Sequence, residues 1–150
     1  MFRNIMVAFD GSEEADAALD VAAALALDLR AKLTVAAVSP SADHDGRWNR
    51  ALREALGRVP DEVVSSEHAL FHGSAGPALA AGATAQEVDL IVAGSRDHEE
   101  PRPLAFSVAR YLVDNAPCPV LVVRHGARVS REPSLAAAAE RPATPGRRQN

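Results

Sequence analysis

VDLIVAGSRDHEEPRPLAFSVARYLVDNAPCPVLVV, residues 88 to 123, decides how this chain reads. It opens with an apolar, β-branched run from Val88 to Ala93, broken by Asp89 and stopped by Gly94. Such a short run predicts a strand buried on both faces. A polar loop with Pro101 and Pro103 follows, then a helical pattern from Leu104 to about Asn115. Pro117 and Pro119 end that helix, and Val120 to Val123 reads as a second buried strand. Strand, glycine turn, loop, helix and strand make a βαβ unit. Ligands of such sheets sit beyond the carboxyl ends of the strands, which points to the loop that starts at Gly94.

The rest of the chain repeats the alternation. Asn4 to Phe9 is a strand, and Asp10-Gly11-Ser12 is a tight turn. Ser12 caps a helix whose first turn holds Glu13, Glu14 and Asp16, where acids suit the positive end of the helix. Ala15, Ala18, Leu19, Ala22, Leu25, Ala26 and Leu29 form its apolar stripe. Leu33 to Val38 is the next strand, and Ser39 to Gly46 reads as a loop by its turn residues. Arg47 to Arg58 is a short basic helix with Trp48, Ala51, Leu52, Ala55 and Leu56 on the apolar side. A third strand lies within Val63 to Phe71, with Ala69 to Phe71 as its clearest part. A helix starts at Gly76-Pro77, proline suiting the first helical position, and runs to about Glu87 with Gly82 as a weak point inside it. The order β-α-β-α-β-α-β-α-β predicts an α/β fold, a parallel sheet covered on both faces. No internal repeat is visible.

Bulk properties bound the function. At 150 residues the chain predicts one domain, residues 1–125, followed by a disordered tail over 126–150. No apolar run approaches the roughly 20 residues of a membrane span. The first residues leave no room for a signal peptide, so the expectation is a cytoplasmic protein without membrane partners. Cys118 is the only cysteine, which excludes an intramolecular disulfide. The net charge is −4, but Arg124 to Asn150 holds six Arg and two Glu, so the tail carries +4 and the remainder −8. A body this acidic argues against a nucleic-acid partner. No Ser-His-Asp order or nucleophile elbow supports hydrolysis. The run Asp97-His98-Glu99-Glu100 invites a metal reading, but neighbouring loop residues rarely converge on one ion without a second segment. Cys118, between two prolines, reads as a buried structural thiol, and Trp48 as packing. His68 and His72 read as partly exposed residues of the sheet.

Three pieces resemble the universal stress protein family. These are the first strand running into Ala8-Phe9-Asp10-Gly11-Ser12, the stretch from Gly76-Pro77 through VDLIVAGSR to Arg96, and SVARYLVDNAPCPVLVV from Ser107 to Val123. The resemblance spans about Phe2 to Arg124. It implies a three-layer sandwich around a five-stranded parallel sheet of order 3-2-1-4-5, like the adenine nucleotide alpha-hydrolases. It also implies a homodimer joined through the last strand, Val120, Leu121, Val122 and Val123, whose apolar edge seeks a partner.

Members of the family that bind ATP carry G-x2-G-x9-G-[ST] after the fourth strand. Glycines there let backbone N–H groups close on phosphates, and the next helix N-terminus adds positive potential. The resemblance gives the ribose to Asp10 and the adenine to backbone at Val38. It gives the phosphates to Gly94 and Ser107, with Arg96 and Val108 as further nucleotide-binding residues. Each has a plainer reading: Asp10 as a turn cap, Gly94 as a strand-ending turn, Ser107 as a helix cap and Val38 as core. This chain departs from the motif. Asp97 replaces the second glycine, Phe106 the third, and the loop is one residue short. A carboxylate about 4 Å from a phosphate oxygen repels it by about 4 kcal/mol at an effective dielectric of about 20. The expectation is therefore a non-catalytic stress-response module, acting as a homodimer through protein contacts, with a weakened or lost ATP site and no assigned cofactor. Two other readings stand beside it: a sensor binding ATP or AMP in an altered pose, and a slow nucleotidase.

Overall fold

A computed structural model describes residues 1–95 and 107–124. The elements are β1 (Asn4–Ala8), α1 (Glu13–Leu29), β2 (Lys32–Ser39), a 3-10 turn (Ala42–His44), α2 (Asp45–Leu56), β3 (Ser65–His72), α3 (Ala75–Ala85), β4 (Leu90–Ser95), α4 (Val108–Asn115) and β5 (Val120–Arg124). The strands form one sheet of order β3-β2-β1-β4-β5, every pair parallel. This is the sheet order expected above.

Parallel strands with helices on both faces need apolar side chains on both, and the two sets separate cleanly. Ile5, Val7, Phe9, Leu33, Val35, Leu90 and Val92 pack with Ala15, Ala18, Leu19, Ala22 and Ala26 of α1 and Leu52 and Ala55 of α2. Met6, Ala36, Ile91 and Ala93 pack on the opposite face with Leu79 and Ala83 of α3 and Ala109 and Leu112 of α4. The alanine stripe brings α1 close against β1 and β4. Ser12 begins α1, its Oγ accepting from the Ala15 N–H at 3.1 Å. Arg30 ends α1 in the left-handed region, φ 53°, and its N–H reaches back to the Ala26 and Leu27 carbonyls.

Asp89 looks like a defect in an apolar run. Its carboxylate instead accepts the N–H groups of Arg3 (2.8 Å) and Asn4 (3.1 Å), and so caps the start of the central strand. Strand β4 accordingly begins at Leu90, two residues later than the apolar run suggests. Helix α3 starts at Ala75 and ends at Ala85, because Glu87 turns left-handed (φ 53°) and the Val88 N–H bonds back to the Ala83 carbonyl at 2.9 Å. The weak point at Gly82 is a fitting surface: a Cβ there would strike the tip of the Phe71 ring. The stretch from Ser39 to Gly46 departs from the loop expected of it. It holds the 3-10 turn, and α2 begins at Asp45. Cys118 is only partly buried, which corrects the buried structural thiol expected there. Trp48 packs, half-buried, on the α1 side of the core, and His68 and His72 are exposed.

Candidate functional site

Chain connections leave β1 and β4 in opposite directions, β1 toward β2 and β4 toward β5. That split opens a crevice at the carboxyl edge of the sheet. Asp10 stands exposed just past β1. Its Oδ1 accepts from the Ser12 N–H at 3.0 Å and from the Ser12 hydroxyl at 2.5 Å. Gly11 completes the turn at φ 80°, a conformation glycine adopts without a steric penalty. The Asp10 carboxylate therefore holds the turn that launches α1.

Gly94 lies on the other lip of the crevice, paired with Val123. A Cβ at Gly94 would lie 2.6 Å from the Glu14 carbonyl oxygen and 2.7 Å from its carbon. The glycine thus lets the first turn of α1 settle onto β4. Ser107 caps α4, its Oγ accepting from the Arg110 N–H at 3.3 Å. Val108 follows as the first helical residue, half-buried against α3 and the sheet. Arg96 lies outside the described residues, as do Asp97, His98, Glu99, Glu100, Arg102 and Phe106. Residues 125–150, which hold the basic tail, lie outside them too.

Val38 is partly covered and pairs in register with Phe71 on β3. Ala8, Val38 and Phe71 form a row of incompletely covered apolar side chains along the α3 side of the carboxyl edge. Met6 and Ala36, one step deeper on β1 and β2, are wholly buried. Phe71 is the part of this row that sequence reasoning passed over, since it reads as an ordinary strand residue. Its trace in the sequence is Gly82, the gap into which its ring fits.

A second group lies beside Val38, at the end of β2. The His72 Nε2 stands 3.0 and 2.8 Å from the two oxygens of Asp45. His72 and, after it, the Ser39 hydroxyl hold the Asp45 carboxyl below its usual range. Ser39 is fully buried, donates to the Ser41 carbonyl at 2.7 Å, and accepts the Gly73 N–H on its own carbonyl at 3.3 Å. Among the described residues no three His, Cys, Asp or Glu side chains converge as a metal site. No described helix is long and apolar enough to cross a membrane.

Residues 1–124 match the model of the universal stress protein family. The chain belongs to that family. A Thermus aquaticus relative, described as a universal stress protein in the QAH/OAS sulfhydrylase 3′ region, is 34% identical over a 137-residue alignment that covers 83% of this chain and 100% of that one. Among solved structures, the universal stress protein UspA from Lactobacillus plantarum superposes with a TM-score of 0.69 at 27% identity, over 82% of this chain and 98% of the other. A universal stress protein solved in complex with cAMP superposes at 0.74 with 25% identity, over 83% and 98% of the two chains. This universal stress protein thus superposes on solved members of its family over most of its length.

Proposed function

We propose that this universal stress protein is a non-catalytic stress-response module that works as a homodimer through protein contacts, with an ATP site weakened beyond use in the family's usual mode. One observation carries the reading. The two best-preserved nucleotide positions both have folding duties: Asp10 ties down the α1 turn, and Gly94 makes room for the Glu14 backbone. Their retention is explained without a ligand. The sequence at the phosphate positions argues the same way, with Asp97 and Phe106 where glycines belong. Titration calorimetry with Mg-ATP tests it. No measurable binding is expected, and a low-micromolar dissociation constant overturns the reading.

The dimer is supported by the edge strand β5, where Leu121 and Val122 are each 38% exposed, and by Val113 of α4 at 57%. Apolar side chains on an unpaired edge favour a second copy. Sedimentation at tens of micromolar protein should show a dimer, and a monomer counts against it.

A second reading has its own support. The row Ala8, Val38 and Phe71 offers an apolar bed for a base, and a relative has been solved with cAMP. An adenine nucleotide with one phosphate, AMP or cAMP, would meet less of the acidic loop than ATP. A thermal-shift screen separates the two readings, because a ligand that binds only the folded state raises the melting temperature. A rise with AMP and none with ATP favours the second.

A further inference from the structure

The Asp45–His72 pair joins two places, the end of β3 and the first residue of α2. We propose that this pair is a proton-sensitive latch that fixes the turn over residues 39–46 at the base end of the crevice. Nothing in the proposal requires a nucleotide to occupy that crevice.

The geometry is specific. Four other bonds form within the turn or at its edge: the Ser39 hydroxyl to the Ser41 carbonyl, the Ser41 hydroxyl with the His44 Nδ1 at 2.8 Å, the His44 N–H to the Ser41 carbonyl at 3.1 Å, and the Gly73 N–H to the Ser39 carbonyl. All of these are local, or reach only the start of the β3–α3 turn. Asp45 alone among the side chains of this turn reaches a side chain on β3, across 27 residues of sequence. His72 points to the α2 side of the sheet, as Leu70 does.

Histidine changes its charge between about pH 5 and 8, so a His–carboxylate pair is charge-assisted only when the ring carries its proton. The Asp45 carboxylate stays ionised through that window, because His72 and Ser39 lower its affinity for a proton. The charged or titratable groups on the stretches of chain that flank the pair are Asp43 and His44 in the 3-10 turn, Arg47 on α2 and His68 four residues back on β3. Helix α3 carries no charged residue, and Lys32 of β2 is paired with Glu67 at the far end of the strand. His44 is the other histidine at this end of the sheet that lies within the turn itself, so His44→Gln serves as the control.

Hydrogen exchange of the full chain, corrected for intrinsic rates at pH 5.5 and pH 8, reads the latch directly. Peptides covering 39–46 should lose protection about threefold on raising the pH, the size expected of one exposed ion pair. Peptides from β1 and α1 should not change. His72→Gln keeps a donor but cannot titrate, so its turn should give one protection value at both pH values. Asp45→Asn should be flat and low, while His44→Gln should keep the parent's threefold loss. A parent turn with no pH dependence overturns the proposal. So does a His72→Gln turn that still responds, or a response that disappears with His44→Gln.

Discussion

The carbonyl of Glu14 occupies the place where a side chain at Gly94 would project, its oxygen 2.6 Å from that position. Helix α1 and strand β4 meet there backbone to backbone. Gly94→Ala would push that first turn outward, and backbone yields less readily than a flexible side chain. The expected cost is about 1–3 kcal/mol, the range of overpacked cores. Urea unfolding should show it as a lower midpoint with an unchanged slope. Full stability in Gly94→Ala would mean that α1 can withdraw freely.

Gly82 and Phe71 form a matched pair between α3 and β3. Gly82→Ala alone should destabilise, although alanine favours helix by about 1 kcal/mol, because the new methyl meets the ring. Phe71→Leu shortens the side chain and should recover part of the loss in the double variant. A double-mutant cycle measures this, and additive effects would remove the claimed contact.

Much of this architecture can be read from residues in order, and the reason is local. Buried parallel strands announce themselves as short β-branched runs, and Ser12, Gly11 and the alanine stripe mark where α1 begins and which side it buries. The features that escaped are those in which a residue answers to a distant partner. Asp89 interrupts its strand pattern because it serves Arg3 and Asn4, at sequence separations of 86 and 85. The first half of β3 is exposed, Ser65 to His68, so it carries no apolar pattern to mark its start. Asp45 and His72 look like unrelated polar residues until β3 is placed beside α2. At the crevice, Asp10, Gly94 and Ser107 are visible as motif positions, but their local employments are matters of geometry. Phe71 is hidden by its resemblance to any other strand residue.

Thr34 is wholly buried in β2, and its hydroxyl has no hydrogen-bond partner among the described residues. An unpartnered buried hydroxyl costs about 1–3 kcal/mol. Thr34→Val keeps the shape and removes the polar atom, so this substitution should stabilise the protein by about 1 kcal/mol or more. Thermal or urea unfolding decides it, and a destabilised variant would reveal a partner for the hydroxyl.

Cys118 precedes β5 in a partly buried position. Burial pushes its thiol pKa up, and the nearby negative charge of Asp89 adds to the rise. A raised pKa leaves less thiolate at neutral pH, and thiolate is the reacting form. Alkylation by iodoacetamide at pH 7.5 should therefore run several-fold slower in the folded protein than in urea. Equal rates would place the sulfur in open solvent.

The central position of β1 has a consequence for how the chain is made. This strand leaves the ribosome before the other four, yet one of its two neighbours is β4, whose partners Leu90, Ile91 and Val92 are translated much later. Until they emerge, β1 can pair with β2 but keeps one hydrogen-bonding edge bare, and its cap at Asp89 does not yet exist. Long-range parallel pairing of this kind is slow and exposes sticky edges. The nascent chain is therefore most vulnerable to aggregation, and most in need of a chaperone, between the synthesis of β2 and the arrival of β4.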